Sequence, residues 1–380
     1  MRCLPFLLAL AMVPAAAVAK PAPSAANAQQ KKLWVQSGES ILLKKAGIAF
    51  PSKPGGLSIT RTKESSHEGE GLDAAVLYSS PDEQVYATAY LFYPALAHTG
   101  LAAWATDNAI RTSSPSTVGG GEMYIADAAR VENAAVRADY SNYRNGQASS
   151  AAFFKAGRWL VKLRVSGPEA RKQEVESAMA ALLAGTRIGK NLKVYPAAPV
   201  TMTPCAIGEG ETGAHMLPDP STGETMGEAL LAVLDGAGSE TKKQHGTGTT
   251  ILPSRVPASF CRSNGVKIGD DLVPVFRSAA AKTTGPDERT RLIVVLGDGG
   301  SMLEAVEVPG SKRYILLHHA IAGTSLLPGW DGIPSDAQIG AIISGGDTEA
   351  TRIRGTVRLR PGKGDEISID IEPPPTKPST

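Results

Sequence analysis

Apolar and charged residues alternate from Trp159 to Val165, with Trp159, Val161, Leu163 and Val165 on one side and Lys162 and Arg164 on the other. A period of two is the pattern of a strand with one buried face. Alternating or β-rich stretches also cover 74–78, 84–93, 134–140, 151–155 and 158–165. Two segments change to a helical period. One runs from Gly100 to Arg111. The other opens at Pro168, a favoured first-turn residue, and stops before Gly185, a favoured residue just past a helix end. In it Val175, Ala178, Met179, Leu182 and Leu183 form an apolar stripe, while Glu169, Arg171, Lys172 and Glu176 form the wet face. Strands followed by a helix that must cover one sheet face predict a layered α+β domain over 33–191.

Pro and Gly accumulate over 192–223, which reads as a linker. A helix is predicted over Glu224–Leu234, with Ser221 or Thr222 as its cap, and an irregular segment over Gly236–Asn264. Strands at 292–296, 302–308 and 312–319 make a meander, the first two joined by the turn Gly297-Asp298-Gly299-Gly300. Ser335 caps a short helix that ends after Ile343 at Gly345 and Gly346. Between Arg352 and Glu372 the alternation is clearest. Ile353, Val357 and Leu359 share a face with Gly355, and Arg352, Arg354, Arg358 and Arg360 line the other. After 361–364 the pattern repeats, with Ile367, Ile369 and Ile371 against Glu366, Asp370 and Glu372. A hairpin pairing Val357 with Ile367 and Ile353 with Ile371 would set Arg358 against Glu366, Arg354 against Asp370 and Arg352 against Glu372.

The chain is therefore expected to be α+β, with two domains at 33–191 and 224–372, each a mainly antiparallel sheet covered by a few helices. In element order the first domain resembles the small α/β/α sandwiches of the PsbP and Mog1 type, with no motif in common. That resemblance implies a layered sandwich and nothing about chemistry.

Composition narrows the classes. Apolar residues make up 42% of 380, enough for substantial cores, while aromatics at 5% argue against a carbohydrate- or base-stacking surface. Lys and Arg number 39 against 37 Asp and Glu, so no net field recommends nucleic acid or an anionic membrane as partner. The first nineteen residues have the grammar of a secretory signal peptide. Met1-Arg2 is positive, Leu4–Val13 is apolar, and Ala17-Val18-Ala19 is a small-x-small cleavage site. An apolar run of ten residues is too short to span a bilayer, which takes about 20. The expectation is a chain exported by a Sec-type route to the periplasm or beyond, with a flexible leader at 20–32 and a disordered tail at 373–380. Beyond the signal two cysteines remain, Cys205 and Cys261, and an even count in an oxidising compartment predicts one disulfide.

Local signatures of chemistry are weak. The arginines 352, 354, 358 and 360 are the best candidate anion site, although the acidic stripe across the hairpin would neutralise them. Gly297–Ser301 lacks the Lys and the following helix of a phosphate loop, and Gly119-Gly120-Gly121 reads as a plain loop. His318 and His319 are neighbours on a predicted strand, so they point to opposite faces and do not share a metal. His67-Glu68-Gly69-Glu70 lacks metalloprotease spacing, and Lys242, Lys243 and His245 read as a solvated basic loop. Ser278 and Lys282 are four apart where the serine–lysine motif needs three, and no G-x-S-x-G elbow occurs. No metal or organic cofactor is expected. The leading expectation is a non-catalytic binding protein, a module of an envelope complex or a receptor for a small ligand. The alternative is an exported hydrolase with a Ser- or His-based site near His98, His215 or His318, which requires a hydroxyl or acid within reach of a pocket histidine.

Overall fold

The computed structural model describes residues 33–66, 70–119, 123–144, 146–197, 200–206, 212–237, 259–263, 265–268, 271–278, 291–296, 300–308, 310–361 and 366–372. The signal peptide, leader and tail expected from the sequence lie outside these residues. So do His67, Glu68, Lys242, Lys243, His245, Lys282 and most of the two glycine loops. Of the described residues, strands account for 49% and helices for 19%, so this part of the molecule is sheet-dominated with few helices.

The chain begins with a small meander, β1 (Trp34–Ser37), β2 (Ser40–Leu43) and β3 (Ile48–Pro51). A large antiparallel sheet follows, made of β4 (Ser58–Glu64), β5 (Asp73–Ser79), β6 (Tyr86–Phe92), β7 (Val118–Gly119), β8 (Tyr124–Ala128), β9 (Val131–Tyr143), β10 (Gln147–Ala156) and β11 (Trp159–Pro168). Its order is β4-β5-β6-β11-β10-β9-β7, with β8 also on β9. Helix α1 (Thr99–Ser113) lies between β6 and β7, and α2 (Lys172–Gly185) follows β11 after a single 3-10 turn. The stripe of Val175, Ala178, Met179, Leu182 and Leu183 is buried against one sheet face, as its spacing requires. Helix α1 packs on the other face through Ala102, Ala103 and Ile110 against Val136, Ala138, Ala151, Phe153 and Leu160. The side of β11 that reads as wet in the sequence is therefore covered. Lys162 is only 2% exposed and lies between the Tyr90 and Phe153 rings, 5.5 and 5.8 Å from their centroids.

Short β12 (Arg187–Ile188) joins the opening meander beside β3. The rest of the chain builds a nine-stranded sheet. Its strands are β13 (Thr201–Pro204), β14 (Ser259–Arg262), β17 (Val275–Ser278), β18 (Arg291–Leu296), β19 (Ser301–Glu307), β20 (Tyr314–Ala320), β21 (Gly323–Trp330), β22 (Gly355–Arg360) and β23 (Glu366–Ile371), in that order across the sheet. The pair β15 (Val266–Ile268) and β16 (Asp271–Val273) stands apart from it. Helix α3 (Thr222–Ala237) packs on β21, β22 and β23, and α4 (Asp336–Ile343) packs on β15. Ser335 caps α4 in a full capping box with Gln338. The Cys205–Cys261 disulfide is formed and fastens the end of β13 to β14.

The hairpin of β22 and β23 forms, but in a register two residues from the expected one. Val357 pairs with Ile369, Arg358 with Ser368 and Arg360 with Glu366. A shift of two keeps every side chain on its face, so alternation cannot distinguish the two registers. The paired strands close at Arg360 and Glu366. Arg352 and Arg354 precede the strand altogether, so the expected charge ladder is reduced to Arg360 facing Glu366. At Gly355 a Cβ would come within 2.9 Å of Ile371 Cδ1 and 3.1 Å of the Asp370 carbonyl oxygen, so a larger residue would have to push the isoleucine side chain aside.

The largest apolar cluster crosses the midpoint of the chain. It contains Val76, Leu91 and Leu163 from the first half and Leu317, Leu326, Val357 and Leu359 from the second. A further cluster joins Leu96, Leu101 and Ala105 to Phe260, Phe276, Ile293 and Met302. Backbone bonds seal the junction, from Ala95 N to Ala320 O at 2.9 Å and from Ala322 N to Tyr93 O at 2.8 Å. The stretch 192–223 is itself tied to both halves, by Gly157 N to Lys193 O and Leu217 N to Gly329 O.

Candidate functional site

Side chains directly opposite across antiparallel strands share a face. The register therefore sets Lys63, Ala75, Tyr90, Lys162 and Phe153 in one row and Asp73, Phe92 and Leu160 in the next, all on the α1 side of the large sheet. Tyr90 and Phe92 are two apart on β6 and stack, with centroids 5.9 Å apart and planes 10° from parallel. Helix α1 covers the β9–β10 end of this face. At the β4–β6 end, the nine-stranded sheet brings up the ends of β18 and β20 and the start of β19. Between the two surfaces is a cavity of about 420 Å³. Lys63, Ser65, Asp73 and the two stacked rings line it from the large sheet; Leu296, Gly300, Ser301, Ala320 and Ile321 line it from the other.

Two opposite charges face this space. Burial raises the Asp73 carboxyl above its ordinary value of 3.8, the nearby Glu64 adds to the rise, and Lys63 opposes it. Among the described residues no ion pair or hydrogen bond joins the Lys63 and Asp73 side chains. Glu64 is held away, accepting from the backbone N–H groups of Ser66 at 2.9 Å and Gly71 at 3.1 Å.

Ser301, at the cavity wall, has its Oγ 2.9 Å from His318 Nε2. Burial, and then the neighbouring His319, lower the His318 pKa from 6.5, so the imidazole is neutral near pH 7. No described carboxylate contacts the other ring nitrogen of His318. His319 points the opposite way, with Nε2 2.9 Å from Glu304 Oε2 and Nδ1 2.9 Å from Thr324 Oγ1. The order acid, imidazole, hydroxyl is that of a hydrolytic triad. Exposures of 0% for Glu304, 1% for His319 and 3% for Thr324 nevertheless close it to any substrate, and it is a core network.

The other expected residues are dispersed. His98 caps α1, its Nδ1 accepting from Leu101 N at 3.1 Å. His215 is exposed beside Asp331, whose pKa is lowered chiefly by the His215 backbone N–H. The four arginines do not form one face. Arg352 pairs with Asp219 and more distantly with Glu349. Arg354 is buried, 2.8 Å from Glu228 of α3, and donates to the Leu327 carbonyl. Only Arg358 and Arg360 remain exposed on β22. No group of three His, Cys, Asp or Glu among the described residues is placed to hold a metal.

Lys63, Asp73, Tyr90 and Phe92 were not singled out from the sequence. The available signals were Asp73 opening the otherwise apolar run Ala74–Tyr78 and two rings spaced two apart on one strand. Neither signal identifies a cavity whose second wall lies more than 200 residues along the chain.

No described protein family matches this sequence, and no characterised protein sequence matches it. Among solved structures, cyanobacterial PsbP (CyanoP) from Synechocystis sp. PCC 6803 is similar over 41% of this chain and 99% of its own, at 11% identity and a TM-score of 0.30. A likeness at that score indicates nothing about ligand or role. No described helix is long and apolar enough to cross a membrane.

Proposed function

We propose that this chain is an exported, non-catalytic binding protein that takes a small ligand into the cavity between the large sheet and the β18–β20 ends of the nine-stranded sheet. The cavity carries the reading. Its volume of about 420 Å³ falls within the range of ligand pockets, and it joins stacked rings and aliphatic side chains to a few polar groups, as such pockets do. The signal-like first nineteen residues and the disulfide support export. The test is titration with the uncharged fluorophore N-phenyl-1-naphthylamine, followed by fluorescence. One saturable site is expected, and the cavity-filling Ala320→Trp should abolish it. Absence of saturable binding, or equal binding by the filled variant, overturns the reading.

The contact between Ser301 and His318 favours a second reading, a hydrolase with Ser301 as nucleophile and His318 as base. A fluorophosphonate probe should then label the protein and not Ser301→Ala. No labelling of a protein that still binds the fluorophore removes this reading.

A further inference from the structure

The cavity presents one cation and one anion to the same space, and the two are not paired with each other. Lys63 is on β4 and Asp73 on β5, and because Lys63 faces Ala75, Asp73 is its diagonal neighbour. Diagonal positions across an antiparallel pair are about 7–8 Å apart. A charge-assisted contact takes up roughly 3 Å at each end. A ligand that bridges the two must itself carry opposite charges a few ångströms apart, and the ammonium and carboxylate of an α-amino acid are held about 3 Å apart by covalent geometry. Lysine's flexible stem absorbs the remaining mismatch.

Ligands of a single charge are disfavoured by the same wall. An anion would satisfy Lys63 and leave the part-buried Asp73 carboxylate beside it without a partner; a simple amine would satisfy Asp73 but forgo the contact with the exposed Lys63. Unpaired charge in a partly desolvated site is costly. A polyanion meets one ammonium only, with Asp73 and Glu64 close behind. The rest of the lining is apolar where a side chain would lie, with Tyr90 and Phe92 stacked on one side and Leu296 and Ile321 on the other. From this juxtaposition we infer that the ligand is a zwitterionic α-amino compound with an apolar side chain, its ammonium on Asp73, its carboxylate on Lys63 and its side chain against the two rings. The inference rests on the binding function proposed above and specifies its ligand class.

The experiment is isothermal titration calorimetry of the whole exported chain with three probes of one skeleton: phenylalanine, hydrocinnamate, which lacks the amine, and phenylalaninamide, which lacks the carboxylate. Phenylalanine should bind at least tenfold tighter than either analogue and should displace the fluorophore. In Asp73→Asn the advantage over hydrocinnamate should vanish, and in Lys63→Met the advantage over phenylalaninamide. Circular dichroism confirms that each variant is folded, and fluorophore binding confirms that its cavity is intact. If the fluorophore binds and phenylalanine neither binds nor displaces it, the zwitterion inference fails and the binding function stands. Equal affinity for all three probes also overturns the inference. Binding of neither fluorophore nor amino acid overturns both.

Discussion

Glu228 shows how little of a residue's role its neighbours in sequence reveal. It is 4% exposed on α3 and receives two guanidinium groups, Arg354 at 2.8 Å and Arg313 at 2.9 Å. Deleting one partner of a buried ionic cluster leaves the others uncompensated, which costs about 3–5 kcal/mol. Glu228→Ala should lower the unfolding free energy in urea by about that much; a loss well under 1 kcal/mol would make the cluster dispensable. In the sequence Arg354 belongs to a stripe with Arg352, Arg358 and Arg360, and period-two spacing is all that can be read. The carboxylate that takes Arg352 lies 133 positions away, and no local pattern encodes such a pairing. Asp73 is the converse case, a group held at a disadvantage. Its folded pKa exceeds 3.8, so between 3.8 and the raised value the folded state binds more protons than the unfolded chain. Stability contributed by the protonated form is therefore present below 3.8 and is lost as pH rises through the folded value. Asp73→Asn should raise the melting temperature at pH 7, with the gain disappearing on acidification below 3.8. No gain at pH 7 would show that the carboxylate is not strained in the unliganded protein.

At the scale of elements, periodicity is a good guide wherever packing follows one face. The α2 stripe, the Ser335 cap and strands β5, β6, β9, β10 and β11 are all recognisable in the sequence for that reason. The opening meander, β4, β7, β8, β14–β17 and β21 are not, because runs of two to eight residues with mixed polarity carry too few repeats to show a period. Hairpin register fails differently: both candidate pairings satisfy alternation, and the pairing seen places Gly355 against Ile371. Gly55 marks another contact that pattern alone does not disclose. Its φ is +53°, and a Cβ would lie 2.6 Å from Ala178 Cα, so α2 rests directly on its backbone. Gly55→Ala combines a left-handed backbone with a clash against main chain that cannot rotate away. It should destabilise by more than the roughly 1 kcal/mol typical of a point change. A thermal melt indistinguishable from the parent's would mean that α2 can withdraw without loss.

At the scale of the whole molecule, the two halves meet in a shared apolar cluster. Composition and length favour two cores, whereas the largest apolar cluster draws on β5, β6, β11, β20, β21 and β22 together. Elements that share one core melt together. Scanning calorimetry should give a single unfolding transition; two resolved transitions would support two separately folding domains, at 33–191 and 224–372. The cavity is a product of the same junction, with one wall from each half, so neither half contains it.

Residue order by itself determined the α+β content, most of the strands of the large sheet, the capped helices and the pair of cysteines able to bridge. Each depends on periodicity, on a cap within a few residues or on compartment chemistry, all of which are local or compositional. Tertiary structure decided the hairpin register, the burial of Lys162, the partners of Arg352 and Arg354, the Ser301–His318 contact and the cavity bearing Lys63 and Asp73. Those features are set by which surfaces and strands meet in three dimensions, in cases such as Arg352 with Asp219 across 133 positions, and spacing along one chain carries no period for such contacts.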